Sequence, residues 1–284
     1  MRYSISTLFL LCMLIGCSQG ISSDSVVFRG EYCYEVGKVV PYTGYVTDYY
    51  ETGQTRKQAH YVNGLENGES ITYYENGQVY TQVSFSKGKI HGEFTVFYDN
   101  GQLLATGAFI HGIEQGAYTT YHYNGQISKR QFFLNGVLNG EYITYSDSGQ
   151  IIALGSYANG IQDGQCTEYY KSGQVKEQML FKGGELVGLH TVYYESGQVE
   201  EQDNYFEDRP GYSVHKEFYV TGQMRAEKNY KGDKLDGSCT TYYENGQVRR
   251  QIDYIYGMPH GSFISYYEDG RVKDTGTYVN GLLE

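Results

Sequence analysis

The sequence contains no tryptophan and only three prolines, set against 37 glycines and 33 tyrosines. Without Trp, aromatic surface has to come from Tyr and from 12 Phe. Scarce proline with abundant glycine suits a meander of tight turns. Long apolar runs are missing too. The stretch Leu8 to Ile15 falls well short of the roughly 20 residues a membrane-spanning helix needs. Positive charge is in deficit: 22 Lys and Arg face 33 Asp and Glu, a formal net charge of −11. That balance argues against nucleic acid and anionic lipid head groups as partners, and no basic stripe offsets it. Cysteines are few. Cys12 and Cys17 lie near the N-terminus, which leaves Cys33, Cys166 and Cys239, an odd set without metal-ligand spacing. Cys166 and Cys239 occupy the same repeat position three copies apart, about 29 Å at the usual strand spacing. That is too far for a disulfide, so both read as small apolar fillers.

What the chain does have is a repeat. A turn glycine recurs at Gly53, Gly77, Gly101, Gly125, Gly149, Gly173, Gly197, Gly222, Gly246 and Gly270, 24 residues apart except for one step of 25. Gln follows it nine times and Arg271 once. Ten copies in step mean a repeat protein, in which neighbouring units supply each other's buried surface. Each copy reads as two β-strands around the turn: a run such as Glu69 to Tyr74 precedes it, and Val79 to Phe85 follows. The residue before the Gly is Thr52, Ser148, Ser172, Ser196 or Thr221 as often as Asn or Asp. A type I′ turn would force those residues to positive φ, whereas a type I turn closed by an αL Gly accepts them all. The expected loop is therefore three residues long, as in Glu75-Asn76-Gly77.

That loop sets Tyr73 opposite Val79. The first column then reads Tyr49, Tyr73, Phe97, Tyr121, Tyr145, Tyr169, Tyr193, Phe218, Tyr242, Tyr266. A second column is led by Thr55, Val79 and Leu103. A third, eight residues past each Gly, is aromatic throughout, from Tyr61 and Phe85 to Tyr278. Strand alternation puts the third column on the face of the first two. The other face carries a tyrosine ladder, Tyr50, Tyr74, Tyr98, Tyr170, Tyr194, Tyr219, Tyr243 and Tyr267, interrupted by His122 and Ser146. Its neighbours are mostly polar, so this face is expected to be wet.

Residues 1–16 read as a signal peptide, with Arg2 ahead of a short apolar core. They end in Leu14-Ile15-Gly16-Cys17, which resembles the bacterial lipobox. The resemblance implies cleavage before Cys17, a diacylglycerol on its thiol, and, with Ser18 following, outer-membrane sorting. The expected mature charge is −12. Residues 17–30 are then lipid anchor and tether, and 31–284 the repeat domain. Within it, Glu31 to Gly44 is expected to cover the first strand edge through Tyr32, Tyr34, Val39 and Val40. Phe206 to Ser213, with Pro210 and the extra residue of the 25-step, reads as a local bulge that bends the sheet. The last copy ends at Tyr278 to Gly281, leaving an uncovered edge.

The frame Tyr73 to Gln78, then Phe85, Gly88 and Gly92, resembles the variant MORN repeat of bacteria, over about 240 residues. The resemblance implies an all-β fold: an elongated, single-layer antiparallel meander of about ten β-hairpins. Proteins of this type are often described as antitoxins of toxin–antitoxin pairs. Eukaryotic MORN proteins are linked to membrane attachment and scaffolding, but this sequence lacks their Trp and basic residues.

No catalytic constellation is legible. Of the seven His, His91 and His111 are expected close together at one sheet edge, too few ligands for zinc. No phosphate-cradling loop leads into a helix. The expectation is a non-enzymatic cell-envelope lipoprotein with no cofactor, whose long sheet binds a protein, antitoxin-like or otherwise. It touches the membrane through its lipid alone. Self-association through sheet edges is a further partner expectation. The alternative is a cell-wall glycan-binding module using the tyrosine ladder; Tyr-Tyr and Gly-rich hairpins also resemble choline- and glucan-binding repeats, although those depend on Trp. Against both stands the reading of the ladder as cross-strand pairing that stiffens a thin sheet.

Overall fold

Every repeat turns first through the hairpin closed by its turn glycine, and its backbone is the one the sequence called for. In the computed structural model, which describes residues 20–284, the Gly77 N–H donates to Tyr74 O at 2.9 Å and Tyr74 N–H to Gln78 O at 2.8 Å. Gly77 has φ +83°, the αL residue that closes a type I turn. The return connection between hairpins is a two-residue turn with both residues at positive φ, such as Asn63 (+51°) and Gly64 (+83°). This is a type I′ pattern, which suits Asn-Gly. Lys87, His111 and Tyr256 adopt the same left-handed φ without that advantage.

The chain divides into two compact units between Gln115 and Gly116. In the first, the strands Gly44–Tyr49, Thr55–Val62, Leu65–Tyr73, Val79–Ser86, Lys89–Phe97 and Leu103–Ile110 pair antiparallel in chain order. In the second, an antiparallel meander runs from Gly116–Tyr121 to Val272–Val279. Both are open sheets of consecutive hairpins. Among the described residues the one helical element is a single 3-10 turn, Ser23–Ser25.

The register agrees at the turn and departs from expectation beyond it. Tyr73 pairs with Val79, but Thr72 pairs with Thr81, so Tyr80 is an extra residue on the second strand. The same slip recurs in the other hairpins. A bulge resets the alternation. The third aromatic column therefore leaves the face of Tyr73 and joins that of Ser70 and Val83, because Phe85 pairs with Gly68. The uninterrupted alternation assumed from the sequence does not hold. On this reset face the third column meets the residue seven before each turn Gly. Phe94 and Phe109 lie 5.2 Å apart between ring centroids, Tyr142 and Tyr157 5.2 Å, and Phe263 and Tyr278 5.3 Å. The buried side chains gather here, as Val46, Ala59 and Tyr61 in the first unit and Cys239, Ile252 and Phe263 in the second. Three of the inward rings are each opposed by a glycine: Phe94 faces Gly107, Tyr142 Gly155 and Phe263 Gly276, whereas Tyr118 faces Gln131.

The N-terminal cap also differs from expectation. Ile21–Ser22, assigned to the tether, pairs in parallel with Val46 and Thr47 and covers the first edge. Val26–Arg29 and Tyr32–Glu35 form a separate hairpin. It covers the inward face instead, where Cys33 is fully buried against Val46, Ala59 and Tyr61. The folded part therefore begins before residue 31. Val39 and Val40 are exposed and cover nothing. Leu282–Leu283 folds back on Tyr278 and Val279, covering part of the last edge. The 25-residue step makes no bulge. Residues 201–205 pair with 213–217 without a slip, and the extra length goes into the connection 206–211.

Candidate functional site: the tyrosine ladder and the sheet edges

Each ladder tyrosine sits where its strand enters the turn, with its backbone committed to the hairpin. The phenol then crosses to the next repeat. Tyr50, Tyr74, Tyr170, Tyr194, Tyr219 and Tyr243 donate their hydroxyls to the backbone carbonyls of Tyr73, Phe97, Tyr193, Phe218, Tyr242 and Tyr266, at 2.6–2.9 Å. Tyr98 holds the same place in its hairpin. Tyr267 is 47% exposed, with Arg271 and Lys273 each 5.8 Å from its ring. His122 replaces tyrosine with the same function: its Nε2–H donates to Tyr145 O at 2.9 Å. Ser146 is too short; its Oγ accepts from Gln150 N–H in its own hairpin. Most of the ladder is thus a row of repeat-to-repeat hydrogen bonds with half-buried rings.

Two further rows do the same work and had no reading in the sequence. At the turn tips, Asn76, Asn124 and Asn245 donate Nδ2–H to the carbonyls of Asp99, Asp147 and Glu268 at 2.7–3.0 Å. Their Oδ1 atoms accept from the N–H of Gln78, Gln126 and Gln247. At the opposite edge, Thr43, Asn139, Asp163 and Asp236 accept from the N–H that opens the return turn of the next repeat, at 2.9–3.2 Å. His91 holds this position and accepts from His111 N–H at 3.4 Å, with the rings 4.8 Å apart. The expected His pair is therefore present as a turn fastening, and no third metal ligand joins it among the described residues. The signal was available: a polar residue ten before the turn Gly recurs in register in most copies, Val187 and Tyr212 being the exceptions, but spacing does not say which N–H it meets.

Cys33, Cys166 and Cys239 are free and buried. Burial pushes the Cys33 and Cys239 thiols up, with Glu66 adding to it at Cys33. At the irregular connection a depression of about 450 Å³ is lined by Leu186, Val187, Tyr205, Phe206, Pro210 and Tyr212, with the Lys182–Glu207 ion pair (2.6 Å) on its rim. Cys17 lies outside the described residues, as do residues 1–16.

The MORN repeat variant family model matches nine stretches: 42–63, 66–87, 90–111, 114–135, 138–159, 162–182, 186–207, 235–256 and 259–280. The chain belongs to the MORN repeat variant family. Between residues 42 and 280 the longest unmatched stretch, 208–234, holds most of the irregular connection and the turn glycine Gly222 that ends the 25-residue step. No curated protein matches this MORN-variant chain. Among solved structures it is similar to the Photorhabdus luminescens Tc holotoxin pore at 13% identity, TM-score 0.20, over 87% of this chain and 16% of that one. It is likewise similar to the TcdB2-TccC3-Cdc42 crystal structure at 12% identity, TM-score 0.14, over 88% and 17%. The chain spans under a fifth of either.

Proposed function

We propose that this MORN-variant chain is a non-enzymatic scaffold that binds another protein along its return-turn edge, held at the cell envelope by a lipid on Cys17. The observation that carries the protein-binding part is an apolar stripe in the second unit. Leu134 and Val137 flank one return turn and Ile161 flanks the next, and they are 47%, 43% and 51% exposed. Val137 and Ile161 are in line because each leans on the glycine of the next turn. Val137 Cγ1 lies 3.1 Å from where a Cβ on Gly160 would be, and Ile161 Cγ2 lies 2.9 Å from that point on Gly184. Single exposed aliphatics are ordinary, but aligned ones mark a contact surface. The sequence motif at Leu14 to Cys17 supports the anchor and the outer-membrane location. A toxin acting in the periplasm would make the scaffold an antitoxin. The glycan alternative would use the ladder, whose hydroxyls are already donated to carbonyls.

The test is capture of partners from solubilised envelope by mature protein starting at Ser18, beside a Val137→Asp/Ile161→Asp variant checked for folding by circular dichroism. A stoichiometric protein retained by the parent and lost by the variant supports the reading. Recovery of glycan without protein, or equal capture by both, overturns it.

A further inference from the structure

The inward column of the second unit changes chemistry in mid-sheet. Seven residues before the turn Gly stand Tyr118, Tyr142, Cys166, Cys239 and Phe263, but also His190 and His215. Asp203 pairs with His190 and Lys228 with His215. Glu177 on Val175–Lys182 and Glu217 on Tyr212–Phe218 flank them. Glu217 pairs with Glu201 on Val199–Tyr205 and is held by Arg225 and Lys228 on Met224–Lys231. Burial alone would push the Glu217 carboxyl up, but these two cations hold it below its ordinary value. The Tyr230 ring stands edge-on to His215.

Hydrogen-bond accounting singles out the two rings. His190 Nε2 lies 2.6 Å from Glu177 Oε1, and a carboxylate only accepts, so Nε2 carries the hydrogen. Its Nδ1 is buried without a partner and faces Asp203 Oδ2 at 3.7 Å. His215 Nδ1 donates to Asp203 Oδ1 at 2.8 Å, which leaves its Nε2 facing Glu217 Oε1 at 3.3 Å. A neutral imidazole has one N–H and one lone pair. In each ring the lone pair therefore points at a carboxylate oxygen. A second proton turns both into donors, and Glu177, His190, Asp203, His215 and Glu217 then alternate in charge. His190 is the stronger position, because Lys228 and Arg225 beside Glu217 oppose a charge on His215.

We propose that proton binding at His190, with His215 as its neighbour, fastens the strands that flank connection 206–211. Two of that connection's internal hydrogen bonds are long, Phe206 N–H to Tyr212 O at 3.5 Å and Arg209 N–H to Phe206 O at 3.3 Å, while Tyr212 N–H to Arg209 O at 3.0 Å and the Lys182–Glu207 ion pair at 2.6 Å hold it from either side. Carboxylates stand on both sides of the His190 ring in the folded arrangement and not in the unfolded chain, so they favour its charged form only there, and the fastening tightens as pH falls through the imidazole range and loosens as pH rises. It fails again in strong acid, when the carboxylates lose their charge.

The experiment uses the full chain. Imidazole 15N shifts are followed from about pH 8 to about pH 5.5, a range that brackets the ordinary histidine value. Amide exchange across 188–218 is compared at the two ends after correction for intrinsic rates. Protonation of His190 within this range, with exchange slowed on the order of tenfold at the acid end, is the expected result. His190→Phe, a residue that fills the same position as Phe94 and Phe263, should abolish the difference. A His190 ring still neutral at the acid end, or exchange that does not change, overturns the proposal. If the variant does not fold, the 15N shifts of the parent chain decide alone.

Discussion

The Tyr170 hydroxyl donates to the carbonyl oxygen of Tyr193, 23 residues on, at 2.6 Å. Tyr194 does the same to Phe218 at 2.9 Å. Adjacent repeats are thus held by side chain as well as by strand ladder, at the end of the strand where fraying would begin. Removing the two hydroxyls with Tyr170→Phe/Tyr194→Phe keeps the rings and should cost about 1 kcal/mol per bond. Urea unfolding measures it. An unchanged midpoint would mean that water replaces the carbonyl without loss.

The converse change is at Ser146, the ladder position whose side chain turns back on its own hairpin. Ser146→Tyr places a phenol within the reach that Tyr170 uses one repeat later. A gain of roughly 0.5–1.5 kcal/mol is expected, read as a higher melting temperature. Destabilisation would indicate that the fifth turn is shaped differently from its neighbours.

Gly155 tests the ring-against-glycine pairing. Its backbone is ordinary, so alanine there should gain about 0.5–1 kcal/mol on strand propensity alone. A Cβ, however, would stand 2.8 Å from Tyr142 Cε1, and Tyr142 is committed to Cys166 Sγ at 3.3 Å. Overpacking of this kind costs about 1–3 kcal/mol, so the clash wins and Gly155→Ala should destabilise. Gly155→Ala combined with Tyr142→Leu should recover part of the loss; no recovery would place the strain elsewhere.

Glu217 gives a pH prediction of opposite sign to that of the histidines. Although burial alone would raise its pKa, Lys228 and Arg225 hold it below its ordinary value. Its contribution is present above the ordinary carboxylate range and is lost as pH falls through the lowered folded value. Glu217→Gln should cost about 2 kcal/mol at neutral pH. The gap from the parent protein should narrow in acid as the parent's own carboxyl takes up a proton. A gap that stays constant down to about pH 3 would mean that shape, not charge, holds the site.

Local chemistry was legible in the sequence; long-range partnership was not. The 24-residue period, the αL glycine and the pairing of Tyr73 with Val79 follow from which residues tolerate positive φ, and turn geometry fixes the pairs beside it. Alternation past Val79 was not legible, because the bulge leaves no mark in residue type: the extra residue is Tyr80 in one copy and Arg56 or Leu104 in others. The ladder tyrosines were visible as a column. Their hydroxyl partners, one repeat away across the sheet, were set only by the offset between neighbouring hairpins. So it was with Ile21–Ser22, a polar-looking tether until Val46 and Thr47 supplied a strand edge. His190 and His215 look like scattered histidines in the chain. Tertiary structure alone put three carboxylates around them, since contacts between strands, not spacing along one, decide which side chains share an inward face.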